Sequence, residues 1–170
     1  MVAASKLRDE QQKSLDGLRA RALEIPLPLA RRTAFANGFN ELAAMQHFGA
    51  TLSLADDYLV HVTLPKVEEH HRGGLGTSAV NGAVIAGMFD CALGVAGVLQ
   101  FPDKRTGTVE LSIKLLRPVV GDVLDFYSVA IKSSNAIAFA ESELFSGGRM
   151  CALATGMVAV ASDKDWAAVP

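Results

Sequence analysis

The spacing of apolar residues changes period along the chain, and each period predicts a different element. From Ser5 to Leu23, Leu7, Leu15, Leu18 and Ala22 fall on one side among Lys, Arg, Asp, Glu and Gln, which predicts a helix that stops before Pro26 and Pro28. A short helix is expected around Asn40 to His47. The run GATLSLADDYLVHVTLP then reads as two strands joined at Ala55-Asp56-Asp57, with Leu52, Leu54, Leu59, Val60, Val62 and Leu64 buried and Pro65 ending the hairpin. KVEEHHRGGLGTSAV is a polar, Gly-containing loop. The last third alternates with period two in TGTVELSIKLLRP, GDVLDFYSVAIK, AIAFAESELFS and RMCALATGMVAV. The breaks at Pro118 to Gly121, Ser133-Ser134-Asn135 and Gly147-Gly148 predict an antiparallel sheet. No repeat or low-complexity tract interrupts this pattern, and the tail DKDWAAVP is expected to be loose.

Between loop and sheet lies NGAVIAGMFDCALGVAG, residues 81–97, with one carboxylate in an apolar run. At about 100° per residue, Val84, Ile85, Met88, Phe89, Val95 and Leu99 form one broad side, expected to face the sheet. Ala83, Gly87, Asp90, Gly94 and Gly97 form the opposite seam. Each helical Gly costs about 0.5–1 kcal/mol against Ala, so the seam predicts a close neighbour, either a backbone or a ligand. An unpaired carboxylate among apolar atoms is unfavourable, which marks Asp90 as a candidate functional group.

Composition narrows the classes. The 170 residues fit one domain, half are hydrophobic, and the net charge of −2 argues against a polyanion-binding surface. Cys91 and Cys151 make neither a disulfide framework nor a zinc pattern, and the start MVAASKLRDEQQ carries no apolar signal segment. A cytosolic, reduced protein is expected. Ala79 to Phe101 is long and apolar, but Asn81 and Asp90 argue against a membrane span.

Gly82 opens the helix, where backbone N–H groups lack intrahelical partners and the helix dipole favours negative charge. Its N–H is a donor suited to a developing oxyanion. Thr77, Ser78 or Asn81 could each cap this end. Gly82 and Asp90 are eight positions apart, about 12 Å along one helix, too far to flank one carbonyl carbon. If both act on one bond they come from two chains, and a two-fold dimer pairing the helices antiparallel through the seam would achieve this.

With NGAVIAGMFDCALG opening the helix and TVELSIKLLRPVVGD beginning the sheet, residues 40–160 resemble hotdog-fold acyl-CoA thioesterases of the phenylacetic-acid-pathway (PaaI-like) type. The resemblance implies an α+β hotdog fold, a long central helix wrapped by an antiparallel sheet. It also implies an extension over residues 1–36, a thioesterase domain over 37–162 and a tail over 163–170. The family's His-Gly-Gly and Leu-Ala-Asp-like triplets are matched in spacing by Asn81-Gly82-Ala83 and Met88-Phe89-Asp90. By that match Gly82 supplies the oxyanion N–H, Asp90 the catalytic carboxylate and Thr108 a hydroxyl that orients water, while Arg117 lies near the phosphates of coenzyme A. Asn81 replaces the usual His; its amide donates a hydrogen bond but carries no proton or charge. The resemblance further implies an acyl-CoA substrate, no separate cofactor, and a homodimer with interfacial sites that pairs, in some relatives, into a tetramer.

His71 and Arg72 are expected at the mouth of the site, with Arg72 meeting a phosphate; the His70-His71 pair beside Glu68 and Glu69 lacks the second ligand cluster a metal needs. Cys91 points about 100° away from Asp90 and reads as a small core residue. Glu110 and Lys114 read as a solvated face. The rival functional class is a non-catalytic acyl-CoA-binding module. A hydratase on the same fold would want a His paired with a carboxylate, which the helix lacks.

Overall fold

The computed structural model describes residues 2–74 and 78–161. Thr77 and the tail from residue 163 lie outside them. Three helices come first, α1 (Val2–Arg21), α2 (Leu29–Asn40) and α3 (Ala43–Phe48), followed by strands β1 (Thr51–Ser53) and β2 (Val60–Leu64). A 3₁₀ turn (Glu69–His71) and a small ladder of β3 (Arg72–Gly74) with β4 (Ala79–Val80) lead into the long helix α4 (Gly82–Val98). Four strands complete the chain: β5 (Thr106–Leu115), β6 (Leu124–Ser133), β7 (Ile137–Ser146) and β8 (Arg149–Val160). The expected elements are present, and α2 is an addition. Its sequence mixes Arg, Asn, Thr and Phe without a clear apolar stripe.

Period two in the sequence becomes a six-stranded antiparallel sheet of order β1-β2-β6-β7-β8-β5. β5 pairs with β8 rather than with its neighbour in sequence, so residues 116–123 carry the chain past two strands, a lateral step of roughly 14 Å. An eight-residue link reaches up to roughly 26–29 Å, which makes this crossing easy. The chain then returns by two tight hairpins, the second turned at Gly147 and Gly148 with φ of 60° and 77°.

Alternation assigns the two faces. Leu124 and Phe126 of β6 point to α4, where Phe89 meets Phe126 edge-on at 5.0 Å between ring centroids. Val62, Leu64, Leu144, Ala152 and Ala154 complete this core around Ile85, Met88, Ala92, Leu93 and Ala96. Tyr127, Val129 and Ile131, the intervening residues, point the other way and meet Leu15, Leu18 and Ala22 of α1. The stripe of α1 thus covers the outer face of the sheet. Its polar flank is tied down by Ser14, which donates to Glu143 at 2.7 Å, and by Arg19, which donates to Asp56 at 2.8 Å. Burial pushes the Asp56 carboxyl up, but the N–H groups of Leu59 and Tyr58, together with Arg19, outweigh it and hold its pKa below the ordinary value. On the far edge Asn40 closes two bonds with Leu52, donating to its carbonyl at 3.1 Å and accepting from its N–H at 2.7 Å. That edge is blunted, whereas β5 has no further strand beside it among the described residues, and Val109, Leu115 and Leu116 stand exposed along it and its exit.

The glycine seam of α4 finds its close neighbours within the chain, which corrects the reason expected for it. A Cβ at Gly87 would lie 2.8 Å from the Phe48 ring, one at Gly94 3.1 Å from Thr108 Oγ1, and one at Gly97 2.5 Å from Val158 Cβ. The second half of α4 is buried almost all round, while Ala83 and Asp90 remain exposed. Among the described residues no helix is long and apolar enough to cross a membrane.

These approaches make opposite predictions for two glycines of one helix. Gly97→Ala forces a clash with a β-branched side chain and should destabilise by about 1–3 kcal/mol in urea unfolding. Gly82→Ala meets nothing within 4 Å and should shift stability by less than about 1 kcal/mol. Equal stabilities would contradict the packing described.

Candidate active site

The start of α4 is fixed from two sides. Asn81 is its N-cap, with φ −64° and ψ 137°, and its Oδ1 accepts the Ala83 N–H at 2.8 Å. The Asn81 N–H donates in turn to the His71 carbonyl at 2.8 Å, and the Val80 N–H donates to the Val119 carbonyl at 2.8 Å. Of the three expected caps Asn81 holds the position; capping occupies its oxygen and leaves its NH2 group as the free donor end.

Gly82 N–H is left without an acceptor among the described residues. Gly82 lines a cleft of about 290 Å³ together with Val80, Ile85, Leu115, Leu116, Arg117 and Val119. Apart from Arg117 and the start of the helix its lining residues are apolar, so two of the expected site residues, Gly82 and Arg117, share one cavity. Its walls were missed in the sequence. Their signal is the run LLRPVV, where alternation stops and consecutive apolar residues flank Pro118.

Asp90 lies two turns further along α4, exposed, on the side away from the core. The Thr108 hydroxyl rests over Gly94, one turn beyond Asp90. A bulge makes this possible: the register of β5 on β8 shifts between Thr108 and Glu110, so Val109 is the extra residue. Asp90 and Thr108 therefore occupy one neighbourhood and Gly82 with Arg117 another, about 12 Å apart along the helix axis. The Cys91 thiol is pushed up to about 11, by burial and then by the Asp90 charge. It is a poor nucleophile, in keeping with its expected packing role.

Two expectations for the loop are corrected. His71, expected at the mouth, is 2% exposed. Its Nδ1 accepts the Glu68 N–H at 2.9 Å, while Nε2 is buried without a hydrogen-bond partner among the described residues. A buried aromatic ring joins the loop to α3 because one ring nitrogen satisfies a local backbone donor. Arg72 is engaged too, donating to the Ser78 carbonyl at 2.7 Å and to Asp122 at 3.0 Å, with little of its side chain exposed. It clips the loop instead of awaiting a phosphate. Among the described residues no group of three His, Cys, Asp or Glu side chains is placed to hold a metal ion.

Burial first, and then the neighbouring His70, hold His71 below its ordinary pKa of 6.5, against the smaller opposing pulls of the Phe48 carbonyl and Glu68. The unfolded chain then takes up a proton at a pH where the folded chain does not, so stability falls as pH drops through about 6.5. The contribution is intact above that value. His71→Asn keeps an acceptor for Glu68 N–H and should lessen the loss of unfolding free energy between about pH 7.5 and about pH 5.5. An unaltered pH slope would remove His71 as its source.

No protein-family model matches the chain, and no curated protein does. Solved structures do. A thioesterase from Haemophilus influenzae superposes with a TM-score of 0.67 at 16% identity, covering 74% of this chain and 87% of its own. The PaaI protein from the phenylacetic acid degradation operon of E. coli gives 0.66 at 16% identity, covering 79% and 97%. A protein related to the thioesterase superfamily from Shewanella oneidensis gives 0.65 at 20% identity, covering 76% and 95%. A long helix wrapped by an antiparallel sheet, with α1 added on its outer face, is the hotdog fold of these thioesterase-superfamily structures.

Proposed function

We propose that this protein hydrolyses an acyl-CoA thioester to the free acid and coenzyme A. The observation that carries the reading is the Gly82 N–H at the positive end of α4, without an acceptor among the described residues, on a residue that lines an apolar cleft together with Arg117. The thioester carbonyl would accept hydrogen bonds from Gly82 N–H and from the Asn81 amide, the acyl chain would lie along the apolar walls, and Arg117 would face the nucleotide end. No separate cofactor is needed, because coenzyme A belongs to the substrate.

The carboxylate comes from Asp90 of a second copy. Its 12 Å axial distance from Gly82 within one helix supports this, as does the company it keeps, an exposed position beside Thr108 and the open edge of β5. A homodimer formed through this edge gives the unpaired strand groups and Val109 a partner. Asp90 then attacks the carbonyl carbon, or takes a proton from a water that Thr108 orients and that adds there. The tetrahedral oxyanion collapses, the C–S bond breaks, and the thiolate leaves and is protonated as coenzyme A; where Asp90 is the nucleophile, the mixed anhydride left on its carboxyl is then hydrolysed by water, which releases the acid and restores Asp90. Pairing of dimers into a tetramer is compatible with the same site. A reduced, cytosolic setting agrees with the free thiols Cys91 and Cys151.

The second reading, a non-catalytic acyl-CoA-binding module, is favoured by Asn81 standing at the cap, since its amide cannot shuttle a proton. Thiol release from a panel of acyl-CoAs separates the two. Turnover should fall at least about a hundredfold in Asp90→Asn with substrate binding kept. Gly82→Pro removes the oxyanion N–H at the first helical position, where Pro is tolerated and the extended Asn81 backbone suits it; kcat should fall about 10²–10³-fold. Binding without thiol release from any acyl-CoA by the wild-type protein would establish the binding module instead.

A further inference from the structure

A second cavity, of about 420 Å³, lies between the start of α1 and the β7–β8 hairpin, and Arg117 lines it as well as the cleft at Gly82. Lys6 enters it from α1 and Arg149 from the first residue of β8, while Phe145 and Met150 give it an apolar floor. Glu10 is the one carboxylate in its lining. Lys6, Arg117 and Arg149 make no ion pair or side-chain hydrogen bond among the described residues. Three unpaired cations around one hollow repel one another, an arrangement that favours an anion between them.

The fold brings the backbones that carry these cations together. The Arg117 N–H donates to the Cys151 carbonyl and the Cys151 thiol donates to the Arg149 carbonyl, so both arginines are tied through their backbone to one residue of β8. The wall carrying Lys6 is seated by Gly148. Its φ of 77° suits glycine, and a Cβ there would lie 3.3 Å from Leu7 Cβ. The hairpin therefore admits α1 at close range beside Arg149.

We propose that this cavity binds the phosphorylated nucleoside end of the acyl-CoA, its phosphates between Lys6, Arg117 and Arg149 and its base toward Phe145 and Met150. The inference rests on the acyl-CoA reading above for the identity of the ligand. It makes α1 a wall of the substrate site as well as a cover for the sheet, and it assigns Lys6 and Arg149 to binding. Arg117 lines both cavities, so on this proposal the pantetheine arm would pass it on the way to Gly82.

The test uses the full chain and adenosine 3′,5′-bisphosphate as the probe, by titration calorimetry, on wild type, Lys6→Ala, Arg149→Ala, the double variant and Glu10→Gln. Lys6, Arg149 and Glu10 are exposed, so folding should be kept, which thermal melts check. The wild type should bind, each single loss should raise Kd about tenfold, and Glu10→Gln should lower it. In parallel, the ratio of kcat/KM for one acyl-CoA to that for the same acyl group on N-acetylcysteamine, which lacks the nucleotide, should fall about tenfold in the double variant. No bisphosphate binding by the wild type, or binding unaltered in the double variant, overturns the site even where thioester hydrolysis proceeds. Bisphosphate binding that weakens with Lys6 and Arg149 in a protein that hydrolyses no thioester supports the site and overturns hydrolysis alone.

Discussion

The distance between α4 and the sheet fixes everything else in this molecule. A helix apolar over most of its surface has to be wrapped, and a sheet of long strands can wrap it closely only where side chains are missing. Gly97 admits Val158, Gly94 admits the Thr108 hydroxyl, and on the opposing strand Gly156 admits both the Glu110 carbonyl and Leu93. Three approaches of this kind leave little freedom to slide or rotate the helix. Two candidate positions follow from them: the start of α4 projects past the core to the crossing segment 116–123, and Asp90 is held outward on the side that the sheet leaves uncovered.

That geometry explains why β5 lies where it does. An edge strand beside β8 brings the Thr108 hydroxyl close to Gly94, next to the bulge at Val109, while Thr108 and its neighbours in β5 stay exposed. The crossing segment that leaves β5 is the wall of the Gly82 cleft. One topological choice, pairing the first strand after the helix with the last strand of the chain, thereby supplies both the neighbour of Asp90 and the wall of the cleft that Gly82 lines. The outer face follows a different rule. Its apolar strip at Tyr127, Val129 and Phe145 needs a cover, and α1 provides one with a stripe of its own.

Much of this was legible from period alone. The four strands after residue 105 announce themselves by alternation and by Gly and Pro breaks, the hairpin at Asp56 by its paired carboxylates, and α1 by Leu15, Leu18 and Ala22. The positions of Gly82 and Asp90 were legible from helix spacing. What escaped is what tertiary structure decides. α2 lacks a stripe because it is held partly by polar means, with Arg32 buried and donating to the Asp56 carbonyl and to Asp57. The glycine seam was legible as a need for close contact, but no period tells whether the neighbour belongs to the same chain. His71 and Arg72 look like loop polarity in a string of letters. Their roles depend on a Glu68 N–H, a Ser78 carbonyl and an Asp122 carboxylate that only the folded loop brings to them.

The intramolecular packing of the seam bears on how two copies would meet. Gly87, Gly94 and Gly97 have their neighbours already, so a facing helix would not have to fill them, and the association would rest on the first half of α4 and on β5. Ala83 and Asp90 are exposed there, and the β5 edge carries unpaired backbone groups next to Val109. Strand pairing is directional and sets its own register, so on the proposed reading the open edge would fix the angle between copies while the short side chains of α4 allow Asp90 to reach the neighbouring cleft. The separation of donor and carboxylate along one helix then becomes a requirement for two sites per pair: each cleft lacks a carboxylate of its own, and each carboxylate lies too far from its own cleft to serve it.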